Sequence, residues 1–204
     1  MAEKVFIDIE LFRNKNMEEL TLALSEPEGK LETGSAAAVT AAVSAALLLR
    51  AAKLTAAADD GEQARYIVKN AEILRKYMVH LIDEDVKCRG PLHKAILDNK
   101  PEVIEAARQP ACAICSEIVG MMGKTLDFLS QLKDICPREA LHYLGESAEM
   151  ALSAVRAARL YIIDMADKCS DETYRFVSRR ENDILLEQYA PVAQGILNTV
   201  EARV

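Results

Sequence analysis

Ser35-Ala-Ala-Ala-Val39-Thr-Ala-Ala-Val-Ser44-Ala-Ala-Leu-Leu-Leu49 contains no charged residue, and alanine, valine and leucine hold nearly every position. A helix that is apolar all round must be buried all round. The stretch is too short and too alanine-rich to read as a membrane span, which places it at the centre of a helical bundle. Thr33 or Ser35 can cap its start. Arg50 and Lys53 mark its emerging end, where positive charge suits the helix dipole.

Outward from this helix the chain reads as further helices and almost nothing else. Val5-Phe6-Ile7-Asp8-Ile9 fits either a short extended segment or a first helical turn. Asn16 to Leu24 reads as a short helix, broken by Pro27-Glu28-Gly29. After the turn Asp59-Asp60-Gly61 comes a long amphipathic helix whose Ile67, Ala71, Leu74, Met78 and Leu81 recur at spacings of four and three. Gly90-Pro91 kinks or ends it. Pro101, Pro110 and Pro137 each stand at a helix start, where proline is tolerated. Ser170-Asp171-Glu172 starts the last helix. No Gly/Ser-rich linker, low-complexity tract or repeat interrupts the pattern. The expectation is one domain over residues 1–204, an all-α multi-helical bundle around a buried central alanine-rich helix.

Composition narrows the function classes. Half of the 204 residues are hydrophobic, which excludes a disordered chain, while aromatics are only 5% and Trp is absent. Small aliphatic side chains suit closely packed helices. The net charge of −7 argues against nucleic acid or an anionic membrane as a partner. Met1-Ala2-Glu3-Lys4 lacks the pattern of a secretory leader, and no apolar stretch reads as long enough to span a bilayer, so a cytoplasmic protein is expected. The five cysteines, Cys112-Ala-Ile-Cys115 included, fall within apolar helical patterns and read as reduced core residues. His80, His93 and His142 show no zinc spacing, and no metal site is expected.

One residue breaks the stripe of the long helix. Four positions beyond Leu81 the pattern asks for an apolar side chain and finds Asp85. Burying a charge costs several kcal/mol unless it is paired or held in a cleft. A carboxylate withdrawn from bulk water is a candidate for proton relay. The alternative is that the stripe ends at Ile82, and Asp85 reaches water or pairs with Arg89 one turn on. Asp83 and Glu84 are expected to face elsewhere.

In order and spacing these elements resemble the cyclodeaminase/cyclohydrolase family, which includes the C-terminal part of formiminotransferase-cyclodeaminase and bacterial methenyltetrahydrofolate cyclohydrolases. The resemblance runs from about Met17 onwards. It is carried by Met17-Glu-Glu-Leu20, by Gly34-Ser35-Ala-Ala-Ala-Val39 running into Leu49 and Lys53-Leu54-Thr55, and by Leu81-Ile-Asp-Glu-Asp85. Gln109-Pro110, the small residues Ala140, Gly145 and Ala148, and Ser170-Asp-Glu-Thr-Tyr174 are also similar. The resemblance implies an all-helical, usually homodimeric fold with the family's acidic residue at Asp85. It implies a one-carbon-substituted tetrahydrofolate as substrate and no separate cofactor. Gly34 and Ser35 would offer backbone N–H donors at the helix start, and His142 and Tyr143 would contact the ligand.

Two departures qualify that reading. The family has a proline, a run of glycines and a serine before the central helix. Here Glu28-Gly-Lys-Leu-Glu-Thr-Gly34-Ser35 keeps only the last glycine and the serine, and Glu32 adds negative charge. A later family motif, rich in asparagine with a serine-aspartate pair, is replaced by Pro137-Arg-Glu139-Ala-Leu-His142-Tyr143. Three functions therefore stand side by side: a cyclohydrolase- or cyclodeaminase-type enzyme, a non-catalytic binding or scaffold protein that kept the fold, and an enzyme acting on a different substrate.

Overall fold

Seven α-helices and two 3-10 turns make up the described residues, 11–59 and 61–204 of this computed structural model, and no strand occurs among them. After a 3-10 turn at Phe12–Asn14 come α1 (Met17–Ser25), α2 (Thr33–Ala58), α3 (Glu62–Leu97), α4 (Pro101–Ala111) and α5 (Ala113–Leu132). A second 3-10 turn, Arg138–Ala140, leads into α6 (Leu141–Asp167) and α7 (Glu172–Arg203). The segment Val5–Ile9 lies outside the described residues.

Helix α2 is the axis of the bundle, packing chiefly on α3 and α6, with α5 closing a third side. Its alanines allow this: Ala37, Ala38, Ala41, Ala45, Ala51 and Ala52 are all fully buried. At the crossing with α6, the hydroxyl of Ser44 donates to the Ser147 carbonyl and that of Ser147 to the Ser44 carbonyl, each at 2.8 Å. Two small polar residues thus satisfy each other inside an otherwise apolar seam.

Helix ends follow local chemistry in some places and tertiary packing in others. Asn16 and Glu19 form a complete capping box at the start of α1, and Asp171 caps α7 through the Tyr174 amide. The start of α2 differs from expectation. Its N-cap is Glu32, with no side-chain cap, and the Ser35 hydroxyl is spent on α3 instead. Arg50 and Lys53 do not mark its end either, because the helix continues to Ala58. At 26 residues, with an 18-residue stretch of mean hydropathy 1.6, α2 is long and apolar enough to cross a bilayer, which corrects the length read from the sequence, yet 61% of that stretch is buried in the bundle.

Of the prolines, Pro110 departs from expectation, and Pro91 does not end its helix. Pro91 lies within α3 and Pro110 within α4, the following helix starting only at Ala113. Both rings are exposed, so the carbonyls deprived of an N–H partner can turn to solvent. Arg89 and Leu92 flank the break in α3 on the buried side and keep both halves docked.

Candidate active site

Two helices build the site: the first turn of α2 and the middle of α3. Asp85 is fully buried, at 0% exposure, although its position in the stripe is an apolar one. Ser35 donates its hydroxyl to Asp85 Oδ2 at 2.7 Å. Arg89, one turn further along α3 and 1% exposed, reaches the same oxygen through Nε at 3.1 Å. The carboxylate is therefore buried and paired with Arg89, as one sequence alternative had it, and does not reach water.

The other oxygen, Oδ1, is buried without a hydrogen-bond partner. It lies against Gly34, where an added Cβ would stand 2.0 Å from it. That contact explains why the last glycine of the loop survives: the backbone at the start of α2 must pass directly over the carboxylate. Gly34 and Ser35 are thus brought together with Asp85, but Ser35 acts through its side chain as well as being part of the helix start.

Arg89 ties the departed loop into this cluster. Its guanidinium donates to the Lys30 carbonyl at 2.9 Å and pairs through NH1 with Glu32 Oε2 at 2.5 Å. The second oxygen of Glu32 meets His93 Nε2 at 2.9 Å. Asp85, Arg89 and His93 follow one another at four-residue spacing on one face of α3, so His93 extends the Asp85–Arg89 pairing that the sequence offered. Glu32 had no such local signal, since only the fold brings it there. Beside Glu32 and His93 opens a cavity of about 340 Å³, walled also by Pro27, Glu28, Gly29, Ile96 and Leu97. From this cavity the path of contacts to Asp85 runs through Glu32 and Arg89.

Helices α5 and α6 close the rear. Burial pushes the Tyr161 phenol well up, an effect that Arg89 opposes and that Glu32 and Asp85 add to. Burial likewise raises the Cys115 thiol, with Asp85 next in weight. Cys112 is pushed up to about 12 by burial, with Cys169 adding to it. These thiols are free and protonated near neutral pH.

A second buried carboxylate was not expected. Asp83 is 2% exposed and receives the Arg13 amide at 3.3 Å, while Arg13 Nε stands 3.3 Å from its other oxygen. Arg13 also meets His80 at 2.6 Å. Asp83 thus pins the chain before α1 onto α3, which is why it is buried on a face that the core stripe does not cover.

His142 and Tyr143 stand elsewhere. His142 is exposed, its ring 3.8 Å from that of Tyr143, and Tyr143 carries the Arg50 guanidinium 4.2 Å above its ring. Arg50 and Ser35 are separated along one straight helix by about 22 Å at 1.5 Å per residue. Within one chain these two residues are not part of the Asp85 cluster.

The fold and site define an all-helical bundle with a buried acid beneath the start of its central alanine-rich helix. The formiminotransferase-cyclodeaminase family model matches residues 16–182, and the chain belongs to that family. Its fold is similar to that of formiminotetrahydrofolate cyclodeaminase from Thermotoga maritima, with a TM-score of 0.77 and 16% identity, covering 93% of this chain and 96% of that one. No curated protein matches the chain.

Proposed function

We propose that the chain handles a one-carbon-substituted tetrahydrofolate, in the manner of a methenyltetrahydrofolate cyclohydrolase or a formiminotetrahydrofolate cyclodeaminase, with Asp85 as proton relay. The observation that carries this reading is the unpaired Oδ1 of Asp85, held against the Gly34 backbone at the start of α2. An unpaired buried carboxylate oxygen is costly for stability; Asp83 Oδ2 is a second such atom, but it faces Arg13, whereas Asp85 Oδ1 faces the helix start. In the hydrolytic case water attacks the methenyl carbon, one of its protons passes through the carboxylate to the departing ring nitrogen, and the other leaves to solvent as the formyl C=O forms. In the cyclodeaminase case a folate nitrogen attacks the formimino carbon and ammonia leaves with the relayed proton. Helix-start amides at Gly34 and Ser35 would face the ligand. His142 and Tyr143 would reach it only from a second copy, which fits a homodimer. The assignment includes a cytoplasmic setting and no cofactor beyond the folate.

A second reading, a binding protein without turnover, is favoured by the pairing of Asp85 with the buried Arg89 and by Glu32 lying across that pair. Isothermal titration with a stable reduced folate, beside turnover assays of wild type and Asp85→Asn, separates the two. Binding by both proteins with turnover in wild type alone supports the relay. Binding without turnover in either establishes the second reading, and absence of folate binding removes the ligand assignment altogether.

A further inference from the structure

The geometry points to a carboxylate-binding subsite formed by Arg89 and His93, which Glu32 of the same chain occupies in the closed state and which a carboxylate-bearing ligand takes over by exchange.

The cluster is built to hold one carboxylate that can leave. Arg89 is almost wholly buried, and its Nε and NH2 are committed to Asp85 and to the Lys30 carbonyl. Nη1 alone turns to groups that border open space, the Glu32 carboxylate, 36% exposed, and the His93 ring, whose Nε2 lies 3.5 Å away. Glu32 spans both side chains, one oxygen to Arg89 at 2.5 Å and one to His93 at 2.9 Å, which is the two-point grip a ligand carboxylate would need. The cavity of about 340 Å³ lies beside these groups, with Glu32 and His93 in its wall. Replacing one carboxylate by another leaves the buried charge unchanged, so the exchange avoids the cost of exposing an uncompensated Arg89.

A released Glu32 also has somewhere to go. It is the N-cap residue of α2, and the first internal bond of that helix runs from the Ala36 amide to the Glu32 carbonyl. The N-cap side chain makes no cap bond in the closed state. Freed from Arg89, it can turn onto the amides of its own helix start, where a carboxylate is favoured by both hydrogen bonding and the helix dipole. The loop thus has two arrangements of comparable chemistry, and a ligand carboxylate biases it towards the open one. Opening also withdraws the side chain that lies across the Asp85–Arg89 pair.

The inference does not need the folate reading, and its test uses a carboxylate that no folate enzyme turns over. Sodium glutarate is titrated at constant ionic strength into wild type, Glu32→Gln and Glu32→Gln/His93→Ala, following the His93 ring resonances by NMR and affinity by calorimetry. Glu32→Gln keeps the loop's bulk but loses the competing charge, and is expected to bind glutarate at least tenfold more tightly than wild type, with His93 shifting on binding. The double variant is expected to lose at least fivefold of that affinity. Equal affinity in wild type and Glu32→Gln, or binding that leaves His93 unmoved, overturns the proposal. Glutarate binding without folate binding retains this subsite and sinks the folate assignment, whereas folate binding without a glutarate response does the reverse.

Discussion

Ser44 and Ser147 each donate a hydroxyl to the other's backbone carbonyl, at 2.8 Å in both directions, where α2 and α6 cross. Such a reciprocal clasp demands that the two backbones approach closely, which only small side chains allow. Ser44→Ala removes one of the two bonds and is expected to cost about 1 kcal/mol in urea unfolding. Ser44→Val adds bulk to a seam with no spare volume and is expected to cost about 1–3 kcal/mol beyond the lost bond. Equal stability of the two variants would show that the crossing can spread to accept a larger group.

Gly34→Ala is ordinarily a stabilising change inside a helix, by about 0.5–1 kcal/mol. Here the added methyl would stand 2.0 Å from Asp85 Oδ1, and Asp85 is fixed by Ser35 and Arg89. The expected outcome is a net loss of about 2 kcal/mol, the size of an overpacked core substitution. Gly145→Ala is the control, since its nearest neighbour, Val200, would lie at an ordinary 3.5 Å.

The bundle was legible because hydrophobic periodicity is a local property that survives folding: Ile67, Ala71, Met78 and Leu81 are buried as their spacing requires. Asp85 was legible for the same reason, as a breach of that period. Helix ends were less so. Gly90-Pro91 read as a kink or an end and Pro110 as a helix start, and both prolines lie inside helices, where tertiary packing on the buried side outweighs the single lost backbone bond. Glu32 could be noticed as a departure, yet its role could not be read, because the loop meets Arg89 only after α2 and α3 have packed. The burial of Asp83 could not be read, because its partner, Arg13, lies far away in the chain.

Arg89→Ala leaves Asp85 buried and without its counter-charge. The expected loss is about 3–5 kcal/mol, measured by chemical denaturation. Asp85→Ala/Arg89→Ala removes both charges at once and is expected to cost less than the sum of the single changes by about 1 kcal/mol or more. Strict additivity would mean that the pair contributes no coupling despite its 3.1 Å contact.

Glu105 ties α4 to the α6–α7 turn by accepting from the Ser170 amide at 2.6 Å and the Ser170 hydroxyl at 2.8 Å. The Ser170 amide is the main cause that lowers its carboxyl below the ordinary value of 4.5, with the Ser170 hydroxyl next and Arg108 adding to them. A folded-state value below the unfolded one adds stability above pH 4.5 that is lost as pH falls through the lowered value. Thermal unfolding of wild type should therefore fall more steeply below that pH than that of Glu105→Gln. Parallel acid limbs for the two proteins would show that the tether carries no linkage.

The cysteines provide a site-resolved measure of how the bundle opens. Cys115 is fully buried and its thiol is raised by burial and then by Asp85, whereas Cys88 is only partly buried. The Cys88 thiol is raised as well, by burial and by Glu84, so exposure rather than ionisation sets the order of reaction. With a disulfide reagent near pH 8, native protein is expected to react first at Cys88 and last at Cys115, while denatured protein shows all five thiols at once. Labelling of Cys115 should then track global unfolding, quickening in Arg89→Ala as stability falls. If Cys115 reacts as fast as Cys88 in the native protein, α5 opens locally, and the rear wall of the Asp85 site is mobile rather than fixed.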